Sequence, residues 1–167
     1  MKPNAAPAAP ADTLGHEARA EHGDHAALKL WLRLLASSTQ VEDEIRRRLR
    51  ARFCISLPRF DYLAQLQRRP EGLAMKELSQ RLMVTGGSVT GLTDELEREG
   101  LVARQTSPSD RRSAIVRLTS AGHDTFADMA REHETWIAEL FGGLSESELT
   151  QLHGLLGRLR AQLPRPG

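Results

Sequence analysis

The sequence predicts a mainly α chain with a small β-wing: a winged helix-turn-helix with long helices before and after it. Three observations carry this. Between Leu73 and Thr119 the apolar spacing changes from helical to strand-like around a turn holding Asp110, Arg111 and Arg112. The apolar repeats before Phe53 and after Ser120 are too long for helices confined to a small lobe. Aromatic residues make up only 4% of the chain against 40% hydrophobic, so Leu and Ala must build the core, which suits packed helices more than a β-sandwich.

From about His25 to Phe53, Leu28, Trp31, Leu35, Ile45, Leu49 and Phe53 recur at helical spacing. The segment is about eight turns long, and a helix of that length on a small domain usually runs across a partner or through an interface. Glu42, Asp43 and Glu44 stand four residues before Arg46, Arg47 and Arg48, the favourable orientation for pairs on a helix face. Ser56 and Pro58 open a second helix, since proline is tolerated in a first turn. Phe60, Leu63 and Ala64 line its buried side, and Pro70 with Gly72 ends it.

Met75 to Leu82 reads as a short helix, weakly capped because Ala74 stands where a hydroxyl is expected. Thr85 is a good N-cap for the next helix, which runs to Glu99 with Val89, Leu92 and Leu96 as its apolar stripe. Gly100 is placed to close it in the left-handed conformation. Leu101 to Gln105 reads as a strand, Thr106 to Asp110 as a turn with Pro108, and Ser113 to Leu118 as a strand with Ala114, Val116 and Leu118 on one side.

Thr119 or Ser120 caps a helix to about Phe141, with Phe126, Met129, Trp136, Ile137 and Leu140 on its buried side. The last helix opens on a capping box, Ser145 with Glu148, and a hydrophobic staple, Leu144 with Leu149. Leu149, Leu152, Leu156, Leu159 and Leu163 then form a coiled-coil seam, which is expected to pack against a second copy or, alternatively, on the preceding helix. Pro164 and Pro166 end it.

A length of 167 residues predicts one domain, residues 25–167, after an Ala- and Pro-rich arm, residues 1–24, that is expected to be disordered and is not read as a signal peptide. Within the domain, residues 25–55 and 120–163 are assigned to dimerisation helices and residues 56–119 to the DNA-binding lobe. The net charge of +1 excludes a blanket polyanion binder, so affinity for DNA has to come from local placement of Arg and Lys, doubled by dimerisation. One cysteine, Cys54, fits a reducing cytoplasm. No apolar run approaches the ~18 residues of a membrane span.

The helix that begins Thr85-Gly86-Gly87-Ser88-Val89-Thr90-Gly91 carries no charge in its first turn and a half. Its N–H groups and dipole suit a phosphate. Ser88 and Thr90 can bond phosphate oxygens or base edges, and a Thr methyl can meet a thymine methyl. The glycines either let the backbone approach DNA closely or permit tight packing between the two helices of the motif. They cost helix stability, roughly 1 kcal/mol each relative to Ala. In the wing, Asp110 is placed to hold Arg112, whose guanidinium suits a narrow minor groove, and Arg111 a nearby phosphate; the alternative is a plain surface turn with a salt bridge. Lys76 and Arg104 are secondary phosphate candidates. Asp94, Glu95, Glu97 and Glu99 repel phosphate, so that half of the helix must tilt away from DNA or pair with arginines.

These residues resemble the MarR family of bacterial transcription factors. The matching pieces are Leu78-Ser79, Val89-Thr90, Leu92-Thr93-Asp94-Glu95-Leu96-Glu97, Gly100-Leu101-Val102, Asp110-Arg111-Arg112-Ser113 and Val116-Arg117-Leu118-Thr119, with Gly122. The resemblance spans about Ala26 to Leu163. It implies an obligate homodimer built by the first, fifth and sixth helices, two lobes on a pseudo-palindromic site of double-stranded DNA, and a small-molecule pocket whose filling releases DNA. Arg112 matches the family's wing arginine and Asp110 its acidic partner. Many members carry Arg or Lys where this chain has Gly91. The run Thr85 to Gly91 resembles a glycine-rich subset associated with aromatic-acid catabolism, some members answering to aromatic acyl-CoA thioesters.

The expected function is therefore a ligand-responsive repressor in a bacterial cytoplasm, nucleoid-associated when bound to DNA. Trp31, Arg50, Phe53, Arg59, Phe60, Tyr62 and Trp136 are the ligand-binding candidates; core packing explains the aromatics equally well. Cys54 is expected to be buried and inert, with oxidant sensing as the alternative role. No catalytic constellation, metal quartet or cofactor is expected; His22 and His25 alone do not make a zinc site. The competing class is a winged-helix protein-interaction module that never touches DNA.

Overall fold

The computed structural model describes residues 25–106 and 114–164. The elements run α1 (Ala26–Phe53), α2 (Leu57–Gln67), β1 (Leu73–Ala74), α3 (Met75–Leu82), α4 (Gly86–Arg98), β2 (Val102–Thr106), β3 (Ala114–Leu118), α5 (Ser120–Phe141) and α6 (Glu146–Gln162). The chain divides into two compact units, Met1–Arg47 and Arg48–Gly167, so the division falls inside α1.

In the first unit the acidic and basic residues of α1 meet as helical neighbours. Arg46 bonds Glu42 four residues back and Asp43 three back, and Arg47 grips Glu44 through Nε and Nη2 at 2.8 and 2.6 Å. Such exposed pairs contribute roughly 0.3–0.5 kcal/mol each. Of the apolar stripe expected on α1, Leu28, Trp31 and Leu35 are exposed, and Ile45 and Leu49 are buried.

The second unit begins as α1 ends. Cys54 closes the helix in the left-handed region, φ 55°, with its N–H on Arg50 O at 3.1 Å. It is exposed, not buried as expected, because the inward position at this corner belongs to Ile55. Pro58 sits in the first turn of α2, after Ser56 in an extended conformation. Phe60 and Leu63 are buried as expected and Ala64 is half-buried; Tyr62 and Leu66 are buried beside them.

Three short strands form one antiparallel sheet in the order β1-β3-β2. Val102 lies opposite Leu118 and Thr106 opposite Ala114, while Leu73 lies opposite Val116. β1 was not foreseen, since two residues are too few to show alternation. Gly72, φ +87°, admits it: a Cβ there would lie 2.6 Å from both Arg117 Cγ and Ile115 Cγ2.

Gly100, φ +74°, closes α4 as expected. Its N–H reaches Glu97 O at 3.0 Å and that of Leu101 reaches Leu96 O at 2.9 Å, the two bonds of a Schellman motif. The start of α5 is docked on this closure. Thr119 N–H donates to Leu101 O at 3.0 Å, its hydroxyl donates to Gly100 O at 2.6 Å, and the same oxygen caps Gly122 N–H at 3.0 Å. Gly122 must be glycine, because a Cβ would sit 2.0 Å from Leu101 O. Along α5, Phe126, Met129 and Trp136 are buried, whereas Ile137 and Leu140 are only half-buried. The capping box of α6 forms, with Glu148 Oε2 accepting from Ser145 N–H at 2.8 Å. Those bonds hold the Glu148 carboxyl below its usual pKa.

The core of the second unit includes Leu49, Leu63, Leu66, Leu78, Val89, Leu96, Val102, Val116 and Met129, and one polar bond lies inside it. Tyr62 Oη and Thr93 Oγ1 are 2.6 Å apart, both residues fully buried. The Thr93 hydroxyl donates back to Val89 O at 2.6 Å, so the phenol is the donor to Thr93. Burial pushes the Tyr62 pKa up to about 12, opposed by the bond to Thr93. An unfolded tyrosine ionises near pH 10, so above that pH the unfolded chain releases a proton that the folded chain keeps. Stability should therefore fall as pH rises from about 10 to about 12, by roughly 3 kcal/mol in all. The chain has one tyrosine, so phenolate absorbance reads this group directly. Ionisation in the folded protein with a midpoint near pH 10, or the same alkaline loss of stability in Tyr62→Phe, would refute the assignment.

Candidate nucleic-acid interface

α3 and α4 make the helix-turn-helix. α3 starts at Ala74 without a side-chain cap, as expected, and ends at Met83 in the left-handed region. Val84 N–H returns to Ser79 O at 3.1 Å. Thr85 then caps α4, its hydroxyl oxygen accepting from Ser88 N–H at 3.2 Å and lying 2.9 Å from Ser88 Oγ. α4 is anchored by Val89, Thr93 and Leu96, all fully buried. Thr93 takes a place that the apolar pattern assigned to Leu92, which is half-buried.

The opposite side of α4 is open. Thr85, Gly86, Gly87, Ser88, Thr90 and Gly91 are all exposed. Among the described residues, a Cβ built at Gly86 or Gly91 meets nothing within 4 Å, and at Gly87 it meets only Thr85 Oγ1 at 3.9 Å. Tight packing between helices therefore does not account for these glycines. They keep the edge low where something outside the chain can approach the backbone. Thr90 Oγ donates to Gly86 O at 3.0 Å, which leaves its methyl and oxygen lone pairs available.

Three acids at the end of the helix are paired from within the lobe. Arg104, on β2, bonds Asp94 and places Nε 3.0 Å from Glu97 Oε2, while its backbone N–H donates to Glu97 Oε1 at 3.0 Å. The bond to Asp94 holds the guanidinium even more firmly protonated than usual. This corrects the reading of Arg104 as a phosphate contact, because its charge is engaged by the two carboxylates. Arg59, on α2, bonds Glu99 at the end of α4 in the same way. Lys76 is exposed on α3.

Asp110, Arg111 and Arg112 lie outside the described residues. The strands on either side, β2 and β3, are paired up to Thr106 and Ala114.

The ligand-binding candidates are placed unevenly. Trp31 is exposed in the first unit. In the second, Phe53 and Trp136 pair with ring centroids 6.2 Å apart, with the Arg48 guanidinium 5.9 Å from the Trp136 ring. Phe60 packs on Phe126 at 5.4 Å and His133 at 4.9 Å. Burial lowers the His133 pKa, with Asp61 opposing. Tyr62 is a core residue facing Thr93, so it is withdrawn as a ligand contact. Arg59 is engaged by Glu99, and Arg50 is exposed. Phe126 and His133 were not among the candidates, although their seven-residue spacing puts them on one face of α5.

α6 has no buried residue. Its seam leucines Leu149, Leu152, Leu156, Leu159 and Leu163 are 36–57% exposed, as is Leu144 at 38%. Among the described residues no seam leucine is buried against α5.

Residues 55–113 match the family model described as MarR family. The chain is 31% identical over 115 residues to the HTH-type transcriptional regulator PecS of Dickeya dadantii, covering 68% of this chain and 69% of that protein. It is 33% identical to a MarR family transcriptional regulator from Silicibacter pomeroyi of known crystal structure. That match covers 85% of this chain and all of the other, with a TM-score of 0.70. Wild-type apo MarR from E. coli shares the fold at 24% identity and a TM-score of 0.70, over 81% of this chain and 97% of that one.

Because a Cβ at Gly91 enters open space in mid-helix, Gly91→Ala should stabilise the free protein by up to about 1 kcal/mol. Thermal unfolding measures it. A lower melting temperature would mean that the glycine is required by packing inside the molecule.

Proposed function

The chain belongs to the MarR family of transcriptional regulators, and on that premise we propose that it is a homodimeric repressor that leaves a pseudo-palindromic operator when a small effector binds. The observation that carries this reading is the divided surface of α4. Its first half is exposed, uncharged and open at three glycines, and its acids Asp94, Glu97 and Glu99 are countered by Arg104 and Arg59. That arrangement suits a helix entering the major groove by its N-terminal end. Thr85, Gly86, Gly87, Ser88, Thr90 and Gly91 are the contact residues there, with Lys76 on phosphate. The wing residues Arg111 and Arg112, with Asp110 orienting the latter, are assigned to the flanking phosphate and minor groove on their sequence alone. Arg104 acts by position and not by contact.

Pairing of two copies is supported by the α6 leucines, none of which is buried among the described residues. The effector is assigned to the class of aromatic acids or their CoA thioesters. Support comes from the glycine-rich run and from the Phe53–Trp136 ring pair, with Arg50 able to meet a carboxylate or phosphate. A second reading rests on the exposure of Cys54: oxidation of that thiol in place of a ligand.

A duplex selected by the full chain from a random pool should show half-sites about one helical turn apart, roughly 10 bp. Binding should weaken steeply with salt. Arg112→Ala should weaken it about tenfold or more, in the range of 1–3 kcal/mol for a lost base-reading arginine. Unchanged affinity in a folded variant would remove the wing from the mechanism, and salt-independent binding would favour a protein-interaction module.

Sedimentation tests the seam. The wild-type chain should run as a dimer at micromolar concentration and Leu156→Asp as a monomer; a wild-type monomer would refute the assembly. Thermal-shift screening of aromatic acids and their CoA thioesters, with operator DNA competing, tests the effector class. Release of DNA by peroxide in the wild type but not in Cys54→Ser would favour the redox reading instead.

A further inference from the structure

Met83 exposes more apolar surface than the fold explains. It is 85% exposed, the highest value for a large hydrophobic residue among those described. It also sits at φ 53°, ψ 39°, the left-handed position that closes α3, where Gly or Asn avoids the clash a Cβ carries. The bonds of this turn, Met83 N–H to Gln80 O and Val84 N–H to Ser79 O, use main chain only. Neither burial nor backbone geometry asks for methionine here. Val84, 37% exposed, continues the apolar surface directly to Thr85, the cap of α4. From Leu82 to Thr93 the sequence holds no charged residue.

Resting on the reading that α4 enters the major groove, we propose that Met83 is a specificity-determining residue that covers the 5-methyl group of a thymine, with Val84 beside it. Met83 and Val84 bring no charge for phosphate and no side-chain donor for a base edge. Thymine is the base whose major-groove edge presents an apolar group. The thioether side chain is unbranched and polarizable, so it can settle over a methyl group without a preformed socket. The place is contiguous with the open edge of Thr85, Gly86, Gly87 and Ser88, whereas the apolar seam available for a second copy lies on another element, α6.

The test uses the full chain and the duplex it selects from a random pool. Each thymine is replaced in turn by deoxyuridine, which deletes only the methyl. At one symmetry-related pair of positions the wild type should lose about fourfold in affinity per half-site, the value of one methyl group removed from water. Met83→Asn, which suits the left-handed backbone, should fold at least as stably and should not distinguish the two duplexes there. Met83→Leu should keep most of the discrimination. A uracil scan that is flat for the wild type overturns the proposal while leaving DNA binding intact, and so does an equal penalty in wild type and Met83→Asn. A dimer that dissociates in Met83→Asn would assign the surface to a second copy and also overturn it. If the wild type selects no duplex at all, the reading of α4 fails and this proposal with it.

Discussion

The hydrogen bond from Tyr62 to Thr93 is the constraint on which the placement of α4 depends. α4 is held by Val89, Thr93 and Leu96, spaced so that one side of the helix faces the core. Two of these are apolar and tolerate small rotations. Thr93 does not, because its hydroxyl is already donated to Val89 O and its oxygen must meet the Tyr62 phenol in a dry interior. A buried polar group left without a partner costs about 1–3 kcal/mol, so the helix has one orientation in which its polar account closes. That orientation turns Ser88, Thr90 and Gly91 outward together.

Charge is distributed around this anchor in a way that net charge conceals. The chain totals +1, a value that gives no hint of a polyanion surface. Yet Asp94 and Glu97 are covered by Arg104, and Glu99 by Arg59. Those three carboxylates are thereby paired by neighbours on β2 and α2, while the uncharged first turns of α4 keep the positive end of the helix dipole. The arginines at 59 and 104 are constructive elements of the lobe.

The elements were legible in the sequence where a cap or a periodic stripe marked them. Thr85, Gly100, Thr119 and the Ser145–Glu148 box all terminate helices where their chemistry says they should. What escaped reading was tertiary. Arg104 looked like a phosphate ligand because its partners Asp94 and Glu97 are brought to it only by the reversal at Gly100. The apolar stripe was read through Leu92 and passed over Thr93 because Tyr62, the reason Thr93 is buried, lies on another helix. β1 has two residues and leaves no pattern. Cys54 resembled a core thiol by type, but the turn it occupies hands the interior to Ile55. The glycines at 86, 87 and 91 were ambiguous in sequence, and the open space around them settles the packing question.

The corner at Thr119 has a mechanical meaning. α5 is fastened to the closing turn of α4 by two hydrogen bonds from Thr119 and by the backbone of Leu101 lying close to where a Cβ of Gly122 would be. A joint so short leaves little slack: a tilt of α5 at this end has to be shared by the closing turn of α4, as a hinge pin ties two leaves. Gly122, by admitting the Leu101 backbone so closely, is what lets the two rods meet without a spacer.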